Sequence, residues 1–269
     1  MSDWKPRLIA SDMDGTLLRW DDTVSDATVA ELRRWQDDGV PVVLATGRPP
    51  RWMHRIRRVL PTGTAVCCNG AVLLDLERFE IVEEDALPPA VLQRITAGLR
   101  AEQPDTWFAV EYGMEFRHEP IYRPRWDVDA PGVAPATLDE MVRTPVAKLL
   151  ARHERLPRDR FVALVEEVVG DRATVTNSSS DALAEISARD VTKATGLARV
   201  AAARGLGPED VVYFGDMPND VPAFDWVREG GGRAVAMAHA HPDVLAAATD
   251  VTDPNDADGV AAFLASLPR

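Results

Sequence analysis

The chain has 269 residues, 46% hydrophobic and 27% charged; at about 150 residues per domain this is one large or two modest domains, and the balance excludes disordered, collagen-like and disulfide-scaffold classes. Lys and Arg number 30 against 43 Asp and Glu, for a net charge of −13 and a sequence pI near 4.8. Such a field repels a phosphate backbone and an anionic membrane, so neither nucleic acid nor membrane is expected as a partner, and an anionic small ligand needs metal ions, local cations and backbone N–H groups to draw it in.

The two cysteines, Cys67 and Cys68, are adjacent in an apolar run, which points away from a disulfide framework and toward a reducing compartment. Met1 to Arg7 shows no basic n-region leading into a signal-length apolar run. No stretch reaches the roughly 18 apolar residues of a membrane span. The expected location is the cytoplasm.

In chain order, short apolar runs bounded by turn residues alternate with helical patterns, which predicts an α/β protein with a parallel sheet. Arg7 to Ser11 is the first strand, ending in Asp12-Met13-Asp14-Gly15-Thr16. Ser25 caps a helix with Val29, Leu32 and Trp35 on one face, and Gly39 stops it. Val40 to Ala45 is the second strand, followed by Thr46-Gly47-Arg48; Arg51, His54, Arg55, Arg57 and Arg58 then form a basic helix patch, read as a solvated face or as a positive field near Arg48. Thr64 to Cys68 is the third strand, followed by Asn69-Gly70.

The middle of the chain reads as a second sheet. Its strands are Ile81 to Glu84, Thr106 to Tyr112, Val146 to Ala151, Arg172 to Thr176 and Leu183 to Ser187, with helices near Pro88 to Ala101 and Pro157 to Val169. The Pro-rich stretch from Glu119 to Pro145 reads as a long connection, and Ser178-Ser179-Ser180 as a turn. The first pattern resumes with a helix over Val191 to Ala203 and strands over Asp210 to Phe214 and Arg233 to Met237, followed by Gly215-Asp216 and Ala238-His239. Gly230-Gly231-Gly232 lacks the spacing of a dinucleotide fingerprint and reads as a turn. Ligands of open α/β sheets bind outside the carboxyl ends of the strands, so the loops named here converge on one site.

Asp12 and Asp14 place two carboxylates around one centre at a strand end, suited to a nucleophile and a general acid/base with a divalent cation to suppress their repulsion. The plainer reading is an acidic turn that ends a strand. Thr46 and Gly47 offer a hydroxyl and an N–H to a phosphate oxygen, and Lys193 a cation. Asp216 and Asp220 add hard oxygen ligands suited to Mg²⁺. His239 and His241, with Asp243 near, invite a zinc reading but lack a third strong ligand, so a rim or phosphate-adjacent role is favoured. Trp107, Glu111, Arg117, His118, Tyr122 and Trp126 are candidates to meet a substrate, although such residues are more often core or surface.

Asp12-Met13-Asp14-Gly15-Thr16-Leu17, Thr46-Gly47-Arg48, Lys193 and Gly215-Asp216-Met217-Pro218-Asn219-Asp220, in this order, resemble the four motifs of the haloacid dehalogenase (HAD) superfamily. Cys68-Asn69-Gly70-Ala71 and Asp258-Gly259-Val260 resemble its Cof-type, subfamily IIB sugar-phosphatase branch. The resemblance implies a Rossmann-like parallel-sheet core with an inserted α/β cap of C2 type, and Mg²⁺-dependent hydrolysis of a small phosphorylated metabolite. By the same resemblance Asp12 is the nucleophile that forms a phosphoaspartate, and Asp14 protonates the leaving oxygen and then activates water. Thr46, Gly47, Lys193 and Asn219 hold the phosphoryl group. Mg²⁺ is bound by the Asp12 side chain, the Asp14 backbone carbonyl and Asp216, with Asp220 helping.

Between Asp12 and Thr46 lie 33 residues, enough for one helix and a return strand, whereas 144 lie between Arg48 and Lys193. The cap is therefore expected at about residues 78–184, leaving 1–77 and 185–269 as a discontinuous core. The sequence departs from the Cof pattern at Ala194, at Ala238-His239-Ala240 and at Pro218; none removes a catalytic group. Two alternatives stand beside this reading. A phosphomutase shares the first half-reaction, but those relatives carry the cap between the first two motifs. A non-catalytic phosphate-binding module has little use for Asp14. Sugar phosphates, phosphoglycerate glycosides, polyol phosphates and flavin nucleotides all fit as substrates, and no oligomeric state is set.

Overall fold

The computed structural model describes residues 4–122, 130–177 and 181–268. The chain opens with β1 (Leu8–Ser11), α1 (Asp26–Asp37), β2 (Val42–Ala45), β3 (Thr64–Cys67), β4 (Val72–Asp75) and β5 (Glu80–Glu84). It continues through α2 (Pro89–Glu102), β6 (Trp107–Tyr112), β7 (Glu115–His118), β8 (Val133–Pro135), α3 (Leu138–Met141), β9 (Lys148–Arg152), α4 (Arg158–Val169), β10 (Ala173–Thr176) and β11 (Leu183–Ala188). It closes with α5 (Lys193–Ala202), β12 (Val211–Gly215), α6 (Val221–Glu229), β13 (Arg233–Met237), α7 (Pro242–Ala247), β14 (Asp250–Thr252) and α8 (Gly259–Ser266).

Among the described residues, eight strands form one sheet in the order β14-β13-β12-β1-β2-β3-β4-β5, and six form a second, β10-β11-β9-β6-β7-β8. Pairing in the first is parallel from β14 to β3 and antiparallel at β3–β4 and β4–β5. Every residue of β1, β2 and β12 is buried, as expected of parallel strands covered on both faces. The covering helices pack as two groups, α1 with α8, and α5 with α6 and α7. α1 starts where Ser25 accepts a hydrogen bond from the Thr28 N–H, and it buries Val29, Leu32 and Trp35 on one stripe.

The second sheet alternates with period two. One set of its side chains, including Phe108, Val110, Leu149, Ala151 and Ile186, joins Leu92, Ile95 and Leu99 of α2 and Phe161 and Val165 of α4 in an apolar core. The other set carries Glu111, Lys148 and Glu185, and these reach Arg51, Gly47 and Asn69 at the strand ends of the first sheet.

Three expectations change, and one short strand was not expected. Ile81–Glu84 does not join the second sheet: β5 pairs with β4 in an antiparallel hairpin at the edge of the first, and the mostly exposed, glutamate-rich strand protects that edge. β14, three residues long, was too short to show a pattern. The basic stretch is not one helix with a solvated face but two 3₁₀ turns, Pro50–Trp52 and Ile56–Arg58, with Arg51 turned inward between the Trp52 and Phe116 rings. The Glu119–Pro145 connection contains β8 and α3, the latter started by a Thr137–Glu140 capping box. Ser178–Ser180 and Trp126 lie outside the described residues.

Candidate active site

β12, β1, β2 and β3 are neighbours, so the residues just past their carboxyl ends meet: Asp216, Asp12, Thr46 and the Cys68–Asn69 turn. The Asp12 N–H bonds the Phe214 carbonyl and the Thr46 N–H the Val66 carbonyl, each at 2.8 Å, so both residues extend the ladder rather than hang from a loop. Gly15, at φ +77°, lets the Asp12–Leu17 turn press on Asp216: a Cβ there would stand 2.5 Å from Asp216 Oδ2.

Lys193 heads α5 and is buried, its Nζ donating to Asp12 Oδ1 at 2.5 Å and to Asp220 Oδ1 at 2.7 Å. Asp220 Oδ1 also accepts from the Tyr213 hydroxyl at 2.7 Å, and its Oδ2 accepts the Asp216 and Met217 N–H groups at 3.1 Å each. Asp216 Oδ1 accepts from the Thr16 hydroxyl at 2.7 Å. Oxygen atoms of Asp12, Asp216 and Asp220 lie within 4.8 Å of one another, and all three residues are buried. Three carboxylates thus face one ammonium. Burial pushes the Asp12 pKa well above the usual carboxylate range, with Lys193 opposing and Asp220 and Asp216 adding to the rise. Burial likewise lifts Asp216 to about 6, against the Thr16 hydrogen bond and with Asp220 contributing. Hard oxygen donors with a surplus of negative charge fit a divalent cation.

The Asp14 carboxylate stands apart from that cluster. It lies at the rim, its side chain 55% exposed, where the Arg48 guanidinium holds it, Nε donating at 2.9 Å, while also reaching Asp22 at 2.6 Å. Thr46 is fully buried and its Oγ1 accepts the Arg48 N–H at 3.0 Å. Asn219 Nδ2 donates to Asn69 Oδ1 at 3.1 Å.

His239 and His241 turn to different partners. His239 Nε2 donates to the Gly15 carbonyl at 2.9 Å and sits 3.9 Å from Asp216 Oδ2, whereas His241 Nδ1 accepts from the Asp243 N–H at the start of α7. Of the second-sheet candidates, Glu111 faces the first sheet and pairs with Arg51 at 3.0 Å. His118 and Tyr122 pack with Phe116, Trp107 lies against that cluster, and Arg117 turns to Glu115 and the Gly132 carbonyl. Tyr213, Lys148 and Glu185 escaped the sequence reading. Lysine and glutamate inside the apolar runs Val146–Ala151 and Leu183–Ser187 were the available signal, since such residues are rarely buried without a partner.

A family profile described as haloacid dehalogenase-like hydrolase matches residues 9–264. The chain belongs to this family. It is a HAD-superfamily phosphatase of Cof type, a superfamily whose hydrolases generally use a divalent metal, and its acidic triad is able to hold one. It is 28% identical over 273 residues to pyridoxal phosphate phosphatase YbhA of Escherichia coli, covering 97% of this chain and 98% of that protein. With 5-amino-6-(5-phospho-D-ribitylamino)uracil phosphatase YcsE of Bacillus subtilis it shares 29% over 264 residues, 95% and 93% of the two chains. A haloacid dehalogenase-like hydrolase from Bacteroides thetaiotaomicron superposes with a TM-score of 0.79 at 25% identity, covering 97% of this chain and 99% of that one. Among the described residues no helix is long and apolar enough to cross a membrane.

Proposed function

We propose that the protein is a Mg²⁺-dependent phosphatase that hydrolyses a small phosphorylated metabolite, a sugar phosphate or similar phosphomonoester, through a phosphoaspartate on Asp12. The observation that carries this reading is the Lys193 ammonium clamped between Asp12 and Asp220 at 2.5 and 2.7 Å. It holds a carboxylate in place and offsets part of the repulsion an arriving phosphate meets. The relatives named for phosphate-ester substrates support the substrate class.

In the first half-reaction an Asp12 oxygen attacks phosphorus, the bond from phosphorus to the ester oxygen breaks, and Asp14 gives that oxygen a proton. In the second, Asp14 takes a proton from water, the water oxygen attacks phosphorus, and the bond to Asp12 breaks to release phosphate. Thr46, the Gly47 N–H, Lys193 and Asn219 bind the phosphoryl oxygens. Arg48, bound to both Asp14 and Asp22, restrains the carboxyl that makes both proton transfers. Asp12, the Asp14 backbone carbonyl and Asp216 would hold Mg²⁺, which supplies charge neutralisation at the phosphoryl group when bound. Asp220 receives four donors, so it acts on Lys193 and on the Asp216–Met217 backbone more than on a cation.

The unit inserted between β5 and α5 is the cap in this reading, and its place there, rather than between β1 and β2, favours a phosphatase over a phosphomutase. The test is phosphate release from p-nitrophenyl phosphate by chelator-treated protein, with and without added Mg²⁺. Release that depends on Mg²⁺, with a quenched covalent adduct on Asp12, supports the reading. Absence of release in both conditions overturns it.

A further inference from the structure

Lys148 is a buried cation with no part in the steps above. It lies in β9, and its Nζ leaves its own sheet to donate to the Gly47 carbonyl at 2.7 Å while also donating to Glu185 Oε1 at 2.6 Å. Burial opposes the charge, but Glu185, Cys68 and Glu111 together raise the ammonium's pKa, so Lys148 stays charged. The other Glu185 oxygen accepts Asn69 Nδ2 at 3.0 Å, and Asn69 in turn receives Asn219.

Three successive carbonyls of the Thr46-Gly47-Arg48 loop are held. The Asn69 N–H takes that of Thr46 and the Cys68 N–H that of Arg48, each at 3.0 Å, and Lys148 takes the one between them. The Cys68-Asn69-Gly70 turn earns its motif here. All three residues have positive φ, at 51°, 55° and 111°, and a Cβ on Gly70 would stand 2.0 Å from the Thr192 carbonyl, so the turn is wedged against the start of α5. The outer carbonyls are therefore fixed by the first sheet itself, and the middle one by the second.

The peptide unit is planar, so holding the Gly47 C=O also orients the Arg48 N–H. That N–H donates to Thr46 Oγ1 at 3.0 Å. With a lone pair so engaged, the hydroxyl proton is directed to a further acceptor, which in the phosphatase is a phosphate oxygen. Each hydrogen bond of the chain Lys148, Gly47, Arg48, Thr46 polarises the next.

The geometry points to Lys148 as a positioning residue: seated on Gly47, it sets the Thr46 hydroxyl for the phosphoryl group, so the phosphate cradle is complete only when the second sheet is docked. This rests on the phosphatase reading and deepens it, because it gives the inserted unit a part in phosphate binding that is independent of the leaving group.

The experiment uses the full chain with two variants. Lys148→Met leaves Glu185 buried without its cation, so Lys148→Met/Glu185→Gln accompanies it, a neutral pair that still offers an oxygen to Asn69. Hydrolysis of p-nitrophenyl phosphate, its inhibition by inorganic phosphate, and calorimetric binding of inorganic phosphate are measured beside thermal melts. In the double variant kcat/KM is expected to fall about 10- to 100-fold, the scale on which misplacement of a binding group acts. Phosphate binding weakens in parallel while the melting temperature holds. Unchanged kcat/KM and phosphate binding in the folded double variant overturn the proposal. So does a loss of p-nitrophenyl phosphate hydrolysis with inorganic phosphate binding unchanged, which makes Lys148 a leaving-group contact instead. A wild-type chain that binds phosphate more tightly than the double variant but hydrolyses nothing would sink the phosphatase reading and leave the positioning role standing.

Discussion

Two buried polar clusters meet between the sheets, and their charges are organised in opposite ways. At the strand ends of the first sheet, the carboxylates of Asp12, Asp216 and Asp220 outnumber the Lys193 ammonium that they face among the described residues. Across the interface Lys148 and Arg51 are matched one to one by Glu185 and Glu111, at 2.6 and 3.0 Å. The matched cluster pairs each cation with a carboxylate and so ties the two sheets together. The unmatched one is held in deficit, and a deficit of that kind is relieved by cations that arrive from outside. Charge balance thus separates the groups that position from the groups that react.

Asp12→Asn breaks the contrast most severely. Turnover is expected to fall by about 10⁴-fold or more, the scale seen when a nucleophile is removed, while the melting temperature holds or rises because one of three crowded carboxylates is gone. Assays on p-nitrophenyl phosphate with a parallel melt check both halves, and a variant within an order of magnitude of wild type sinks the assignment. Asp14→Asn is expected to cost about 10²- to 10⁴-fold, the range of a general acid/base. A phosphoenzyme on Asp12 should then accumulate and be visible by mass spectrometry after quenching. An unchanged rate on an unactivated alkyl phosphate removes Asp14 from the mechanism.

The next effect is on stability. Lys193→Met strips the buried ammonium from the unmatched cluster, which is expected to destabilise the metal-free fold by about 3–5 kcal/mol, the cost of breaking a buried pair. Denaturant unfolding at neutral pH measures it. Wild-type stability in this variant would mean that the carboxylates are not charged together.

The smallest effect lies in the matched cluster. Burial lifts the Glu111 pKa to about 7, against the pull of Arg51 and Lys148, and its Oε2 has no hydrogen-bond partner among the described residues. Between the ordinary value and about 7 the folded protein binds more protons at Glu111 than the unfolded chain. Its contribution therefore favours folding at low pH and is lost as pH rises through that window, at up to about 1.4 kcal/mol per unit. Glu111→Gln should remove this slope from melts taken between roughly pH 5 and pH 7.5. An identical slope in the variant assigns it to other groups.

Much of this was legible in the chain itself. Apolar runs such as Leu8–Ser11 and Val42–Ala45 followed at once by acid, hydroxyl or glycine mark where parallel strands end, and that local pattern suffices to bring Asp12, Thr46 and Asp216 to one edge of a sheet. Lys193 was legible as a lysine within the helical pattern read over Val191 to Ala203, where it supplies a cation to the acidic loops. What stayed hidden depends on how distant pieces dock. Lys148 reaches Gly47 across 101 positions and Glu185 reaches Asn69 across 116, and a strand's periodicity says which residues share a face but not what that face meets. The β4–β5 hairpin, too, extends the first sheet because its edge strand finds a partner in space. His239 and His241 point the same way: neighbours in sequence, they separate onto the Gly15 carbonyl and the start of α7, since the turn after β13 and the packing of α7, rather than their spacing, set where each ring goes.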